Sequence, residues 1–176
     1  MHGPPDPPGD TGTRRPTGRP AGRRGGVMST DWRDRPEATG GCQCGAVRYL
    51  IAAGPARETV CGCRMCQRAS GNFTSAFYEV DAARVTWTAA PPATWASSDV
   101  ADRGFCARCG TPIFFRANGS GTIELLAATL ATGTPFEPVF QVRPEGAPGW
   151  AMHLADMPVR PAEGRGPTRS NQAPEV

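Results

Sequence analysis

The placement of cysteine constrains this chain more than any other feature. Three of its seven cysteines fall within six residues, Cys61-Gly62-Cys63-Arg64-Met65-Cys66. The other four form two close pairs, Cys42-Gln43-Cys44 and Cys106-Ala107-Arg108-Cys109, the latter followed by Gly110. An odd total at short spacings fits metal ligation or catalysis better than disulfide pairing. One intervening residue in extended backbone turns both thiols to the same face, because the strand period is two, so each such pair can grip one ion. The wider Cys106–Cys109 spacing suits a zinc turn, where Gly110 lets the backbone curl around the metal. Structural zinc takes four protein ligands and closes, whereas catalytic zinc keeps three and leaves a position for water or substrate. Seven thiols therefore predict two zincs, one site closed and one open. The spacing lacks a ferredoxin pattern, which disfavours an iron–sulfur cluster. The histidines, His2 and His153, are poorly placed as ligands, and completion of the second site by Asp or Glu stays open.

The rest of the chain predicts one mainly β domain between two disordered tails. Hydrophobic residues make up 39% of the 176, enough for one core, while 22 Gly and 19 Pro favour short elements joined by turns. Residues 1–38 are expected to be a disordered Pro/Gly/Arg-rich tail, 39–160 the zinc-binding domain, and 161–176 a second disordered tail. The alternation of Val47, Tyr49 and Ile51 predicts a strand with one buried face, and Arg57 to Val60 a second that delivers Cys61. Arg64 to Gly71 suits a loop or a single helical turn. Phe73 to Val80 predicts a central strand, followed by short candidates at Arg84 to Thr88, Thr94 to Ser98 and Asp102 to Cys106. Pro112 to Arg116 and Thr122 to Ala127 flank Asn118-Gly119-Ser120-Gly121, a hairpin signal. Phe140 to Val142 adds a late strand, and Trp150 and Met152 are expected to supply late core packing.

Charge and hydropathy narrow the function classes. The net charge of +3 sits in residues 1–26, which hold five Arg against Asp6 and Asp10, so the folded part is near neutral and lacks the basic footprint of a nucleic-acid-binding module. No run approaches the roughly 18 apolar residues of a membrane span, and the Arg-rich start lacks the apolar stretch of a secretory signal. A cytoplasmic protein with no membrane or nucleic-acid partner is expected. Met28 is the expected translation start, because ordinary polar and acidic sequence begins there, and 19 Arg without Lys suggest a GC-rich coding sequence whose frame stays open upstream.

Gly40-Gly41-Cys42-Gln43-Cys44-Gly45-Ala46-Val47-Arg48-Tyr49, Cys61-Gly62-Cys63-Arg64-Met65-Cys66-Gln67-Arg68 and Phe105-Cys106-Ala107-Arg108-Cys109-Gly110-Thr111-Pro112, in that order, resemble the glutathione-dependent formaldehyde-activating enzyme family, which includes centromere-protein-V-like proteins. The resemblance covers roughly residues 39–160. It implies a mainly β, Mss4-like zinc-binding fold with Cys42, Cys44, Cys106 and Cys109 on a structural zinc and Cys61, Cys63 and Cys66 on a catalytic one. The chain departs from the family pattern in lacking a His near Phe140-Gln141-Val142 and in carrying Gln67-Arg68 where several members have Lys.

The implied activity is that of a zinc-dependent carbon–sulfur lyase, forming or cleaving a thiol adduct of a small aldehyde, with glutathione and formaldehyde as the model substrates. Three thiolates leave the zinc complex electron-rich, which disfavours hydrolysis and suits attack of a bound thiolate on an aldehyde carbon. Arg64 and Arg68 flank the open site and could pair with substrate carboxylates or stay solvated. No proton donor for the developing alkoxide is legible. The reading from a different class is a non-catalytic, zinc-stabilised protein-interaction module, because fold alone does not fix function.

Overall fold

Short strands joined by turns build the two sheets that dominate the described chain. The computed structural model describes residues 31–161 and 169–174. In chain order these form β1 (Arg33–Arg35), β2 (Ala38–Gly41), β3 (Arg48–Ile51), β4 (Gly54–Cys61), helix α1 (Arg64–Ser70), β5 (Ser75–Asp81), β6 (Val85–Trp87), β7 (Ala93–Ser98), β8 (Ala101–Phe105), β9 (Pro112–Ala117), β10 (Thr122–Leu126) and β11 (Phe140–Val142), with short 3-10 turns between and after them. The fold is mainly β, as expected, and each strand read from the sequence has a counterpart. The expected tail over residues 1–30 and the expected start at Met28 lie outside the described residues.

Two sheets enclose the core. The larger runs β1-β4-β5-β10-β9-β8-β7, all antiparallel, and β11 lies parallel to β4. The smaller is the antiparallel set β2-β3-β6. Alternation does the sorting. Tyr78, Val80, Ile123 and Leu125 point from the large sheet toward Val47, Tyr49 and Ile51 of the small-sheet region, and all are buried in one cluster. Burial of each large apolar side chain contributes about 1.5–3 kcal/mol. Tyr49 packs edge-on to Trp87, with ring centroids 5.8 Å apart, and its hydroxyl donates to Thr129 Oγ1 at 2.8 Å, so the buried phenol is satisfied. The opposite face of the large sheet carries Phe77, Leu126 and Phe115, which pack with Cys61, Cys63 and Cys66.

Three sequence expectations change. Arg64–Ser70, expected as a loop or a single helical turn, is an α-helix of seven residues, about two turns. Cys63 caps it, its Sγ accepting from the Cys66 amide at 3.4 Å, and Gly71 ends it in the left-handed conformation at φ 66°. Trp150 and Met152 do not join the core: they are 51% and 70% exposed on the 3-10 segment Gly149–Asp156, where Trp150 packs edge-on to Phe73. The β structure also begins earlier than residue 39. Arg35 of β1 grips Glu58 of β4 through two hydrogen bonds of 2.7 and 2.9 Å, and Glu58 is only 2% exposed. The Glu137 amide also donates to the Glu58 carboxylate, at 2.6 Å, so one buried carboxylate ties β1, β4 and the approach to β11. At the other end, the Ala173 amide donates to the Gln43 carbonyl at 2.8 Å, which places part of the expected C-terminal tail against the domain.

Candidate metal centres and thiol site

The seven cysteines, all free, collect into two groups. Cys42 and Cys44 sit in the turn between β2 and β3, and Cys106 and Cys109 in the turn between β8 and β9. Within this group every Sγ lies within 4.8 Å of every other. The Cys42–Cys44 and Cys44–Cys106 separations are 3.6 and 3.8 Å. Both are far beyond the 2.05 Å or so of a disulfide. They match the edge of about 3.8 Å that metal–sulfur bonds of about 2.3 Å give in a tetrahedron. The donor set therefore fits a metal ion. Each cysteine pair is followed by a glycine in the left-handed region, Gly45 at φ 82° and Gly110 at φ 77°, where a side chain would strain the turn. Burial pushes the Cys109 thiol up, but donation by the Thr111 hydroxyl and amide and the Cys44 amide outweighs it and brings the thiol down to about 6.

The second group is Cys61, Cys63 and Cys66, again mutually within 4.8 Å. Cys61 closes β4, Cys63 caps α1 and Cys66 lies in its first turn, so strand end and helix start aim three thiols at one point. Among the described residues no further Cys, His, Asp or Glu joins either group. Burial pushes Cys66 up to about 12, against the pull of Arg103, and raises Cys61 as well. Burial acts the same way on Cys63, but the Cys66 amide and its neighbours win and lower it. A cation among the three would supply the charge that turns the two buried thiols into thiolates.

The loop that carries these thiols is held by backbone partners. Buried Gln67 donates through Nε2 to the Gly62 carbonyl at 2.8 Å and to the Gly146 carbonyl at 2.6 Å. Its Oε1 accepts from Arg64 at 3.1 Å, which occupies one of the two arginines expected to meet substrate. The Gly62 amide donates to the Val142 carbonyl at 2.9 Å. Ser70 and Ser75 both donate to the Cys66 carbonyl, at 2.9 and 3.0 Å. The departure at Gln67 therefore has a structural role, since a lysine there would lack the acceptor that Arg64 uses.

Two candidate residues escape sequence reasoning. Arg103 of β8 donates to Cys66 Sγ at 3.5 Å and stacks over Phe115, 5.0 Å from the ring centroid. Glu124 of β10 is held up to about 7 by burial and by the charge of Glu79. No local motif marks either. A cavity of about 260 Å³ is lined by Ser70, Ser75 and Arg103, each hydrogen-bonded to Cys66, and by Trp95, Phe114 and Leu126 among others. It is mainly apolar with a few polar groups, the usual make-up of a small-molecule site. His153 lies away from both thiol groups, facing Asp156 at 3.5 Å.

Comparison with known proteins adds three findings. The family model described as glutathione-dependent formaldehyde-activating enzyme matches residues 37–145. A search of curated proteins found no match. Among solved structures, the crystal structure of a Rhodobacter sphaeroides protein is similar at 18% identity and a TM-score of 0.45, covering 59% of this chain and 99% of that one.

Proposed function

The chain belongs to the glutathione-dependent formaldehyde-activating enzyme family, and from that footing we propose that it is a zinc-dependent carbon–sulfur lyase that forms or cleaves the adduct between a small thiol and a small aldehyde. Glutathione and formaldehyde are the substrates the family points to. One observation carries the catalytic reading: the thiol group of Cys61, Cys63 and Cys66 stops at three, whereas the group of Cys42, Cys44, Cys106 and Cys109 is complete at four. Four thiols at tetrahedral spacing suit a structural zinc, and three suit a catalytic one. Bound there, zinc would supply Lewis-acid binding of a substrate thiol at neutral pH.

The protein's own groups would do the rest. Arg103 sets a positive charge beside Cys66, where an anionic sulfur or oxygen of the substrate is stabilised. Phe114 and Leu126, buried in the cavity lining, would limit water near the reacting carbon, and Gln67 keeps the Cys61–Cys66 loop in one geometry. Seven free thiols suit a reducing, cytoplasmic setting, and no helix among the described residues is long and apolar enough to cross a membrane.

Exchange NMR of S-hydroxymethylglutathione, with the uncatalysed exchange subtracted, tests the proposal. The expected result is faster exchange with zinc-loaded protein, abolished in Cys63→Ser. Two retained zincs with no acceleration for any small thiol and aldehyde would instead favour the non-catalytic interaction module.

A further inference from the structure

The sheet face beneath the three thiols carries a row of charged residues set by strand register. Arg57 of β4 stands opposite Glu79 of β5, Glu79 opposite Glu124 of β10, Glu124 opposite Phe115 of β9, and Phe115 opposite Arg103 of β8. Directly paired residues share a face, so all five project to the side that holds Cys61 and Cys66. The two carboxylates differ in what holds them. Glu79 accepts from Arg57 Nε at 2.7 Å and from the Thr122 hydroxyl at 2.9 Å. Glu124 has no hydrogen-bond partner among the described residues. One strand step further on the same face, about 7 Å along, Leu126 packs against Cys61, Cys66 and Phe77.

Arg103 links the two places. Its guanidinium donates to Cys66 Sγ at 3.5 Å, and its charge also acts on Glu124. Among the charged groups around it, Glu79 opposes ionisation of the Glu124 carboxyl, while Arg57 and Arg103 favour it. With burial the largest effect, the balance leaves Glu124 near neutrality, where a carboxyl can both take and give a proton. Glu79 is locked by its partners, and His153, the one histidine among the described residues, is exposed elsewhere.

We propose that Glu124 is the proton-transfer residue of this site, an inference that rests on the thiol–aldehyde reading above. The ionised carboxyl takes the S–H proton of the incoming thiol. The sulfur electron pair then forms the C–S bond, the π pair of the carbonyl moves onto oxygen, and that oxygen takes the proton back from Glu124, directly or through one water. The sum is thiol plus aldehyde giving the hydroxymethyl thioether, with no other reactant, and cleavage runs the same steps in reverse. Arg103 is a positioning residue, holding negative charge beside Cys66 while the proton is on Glu124.

The test compares the full zinc-loaded chain with Glu124→Gln and Glu124→Asp. In the first arm, the pH profile of adduct formation from glutathione and formaldehyde should show a limb near 7 in the wild type. Glu124→Gln should lose that limb and about 10²-fold in rate, and Glu124→Asp should keep a displaced limb. The second arm needs no turnover: calorimetry of glutathione binding in two buffers of unlike ionisation enthalpy counts the protons released. Near pH 7.5 the wild type should release clearly less than one proton per thiol bound, and Glu124→Gln a full one. A Glu124→Gln chain that keeps rate, limb and proton count overturns the proposal. If the wild type turns over no aldehyde, the functional reading fails, and the proton count still decides Glu124: full release by the wild type sinks it, and partial release lost in Glu124→Gln sustains it. Should Glu124→Gln not fold, an unchanged limb and rate in Glu124→Asp count against the proposal, and a displaced limb counts for it.

Discussion

Replacing Gly146 by alanine should loosen the three-thiol site without touching a single thiol. A Cβ built on Gly146 would lie 2.4 Å from the Gly62 carbonyl oxygen and 3.2 Å from its carbon, and both obstacles are backbone. Such contacts do not fall below 3.0 Å in real proteins, so the two chain segments must part by at least about half an ångström. Gly62 lies between Cys61 and Cys63, and the bonds from Gln67 to Gly62 and Gly146 join the same two segments, so the displacement is delivered to the thiols. Overpacking of this kind costs about 1–3 kcal/mol. If the cost falls on the metal-loaded loop, metal affinity at Cys61, Cys63 and Cys66 drops by a factor of about 5 to 150. Titration of zinc-loaded protein with graded chelators, followed by metal analysis, reads this out as earlier loss of one metal with the other retained. Gly149→Ala is the control, since a Cβ there meets nothing within 4 Å. Equal metal retention in Gly146→Ala, Gly149→Ala and wild type would refute the reasoning.

Three other outcomes are expected. Cys106→Ser should unfold or aggregate the domain, because Cys106 is buried in the core cluster and joins the two turns of the four-thiol group, whereas Cys63→Ser should stay folded, since serine also caps a helix; circular dichroism melts compare them. Arg35→Ala should lower stability in urea by about 3–5 kcal/mol, because it leaves the Glu58 carboxylate buried without its cation. Because Glu124 is held up to about 7 from an ordinary 4.5, the folded state binds more protons than the unfolded one between those values. Its contribution is fully present below about 4.5 and is lost as pH rises through about 7. Melts across that window should show a decline that Glu124→Gln flattens.

The thiol groups are legible in the sequence because their members sit in tight local runs whose spacing carries the geometry. Cys42 and Cys44 announce a grip, and Gly110 announces the curl of the other turn, whereas the like conformation of Gly45 shows only in the fold. The strand of Tyr49 and Ile51 is legible for a similar reason, since period-two burial shows within four residues. Helix α1 is not, because seven residues with no apolar stripe offer no periodicity, and its cap is a cysteine already assigned to metal. Arg103 and Glu124 are illegible for a different reason. Each gains its meaning from a partner on another strand, Phe115 and Glu79 among them, and register across a sheet is a tertiary fact. Trp150 and Met152 mislead because large apolar side chains are read as core by type, although folded surfaces also carry them.

The parallel pairing of β11 with Thr59–Cys61 of β4 sets an order of events during synthesis. Cys61, Cys63 and Cys66 leave the ribosome together, yet the loop that carries them gains the Val142 and Gly146 carbonyls only after a long further stretch of chain has emerged. A pairing this distant in sequence closes late. Until then the thiol run lacks those two supports, and the last strand to arrive completes them. A transcript truncated before Phe140 would thus yield a chain with all seven cysteines and an unsupported three-thiol loop.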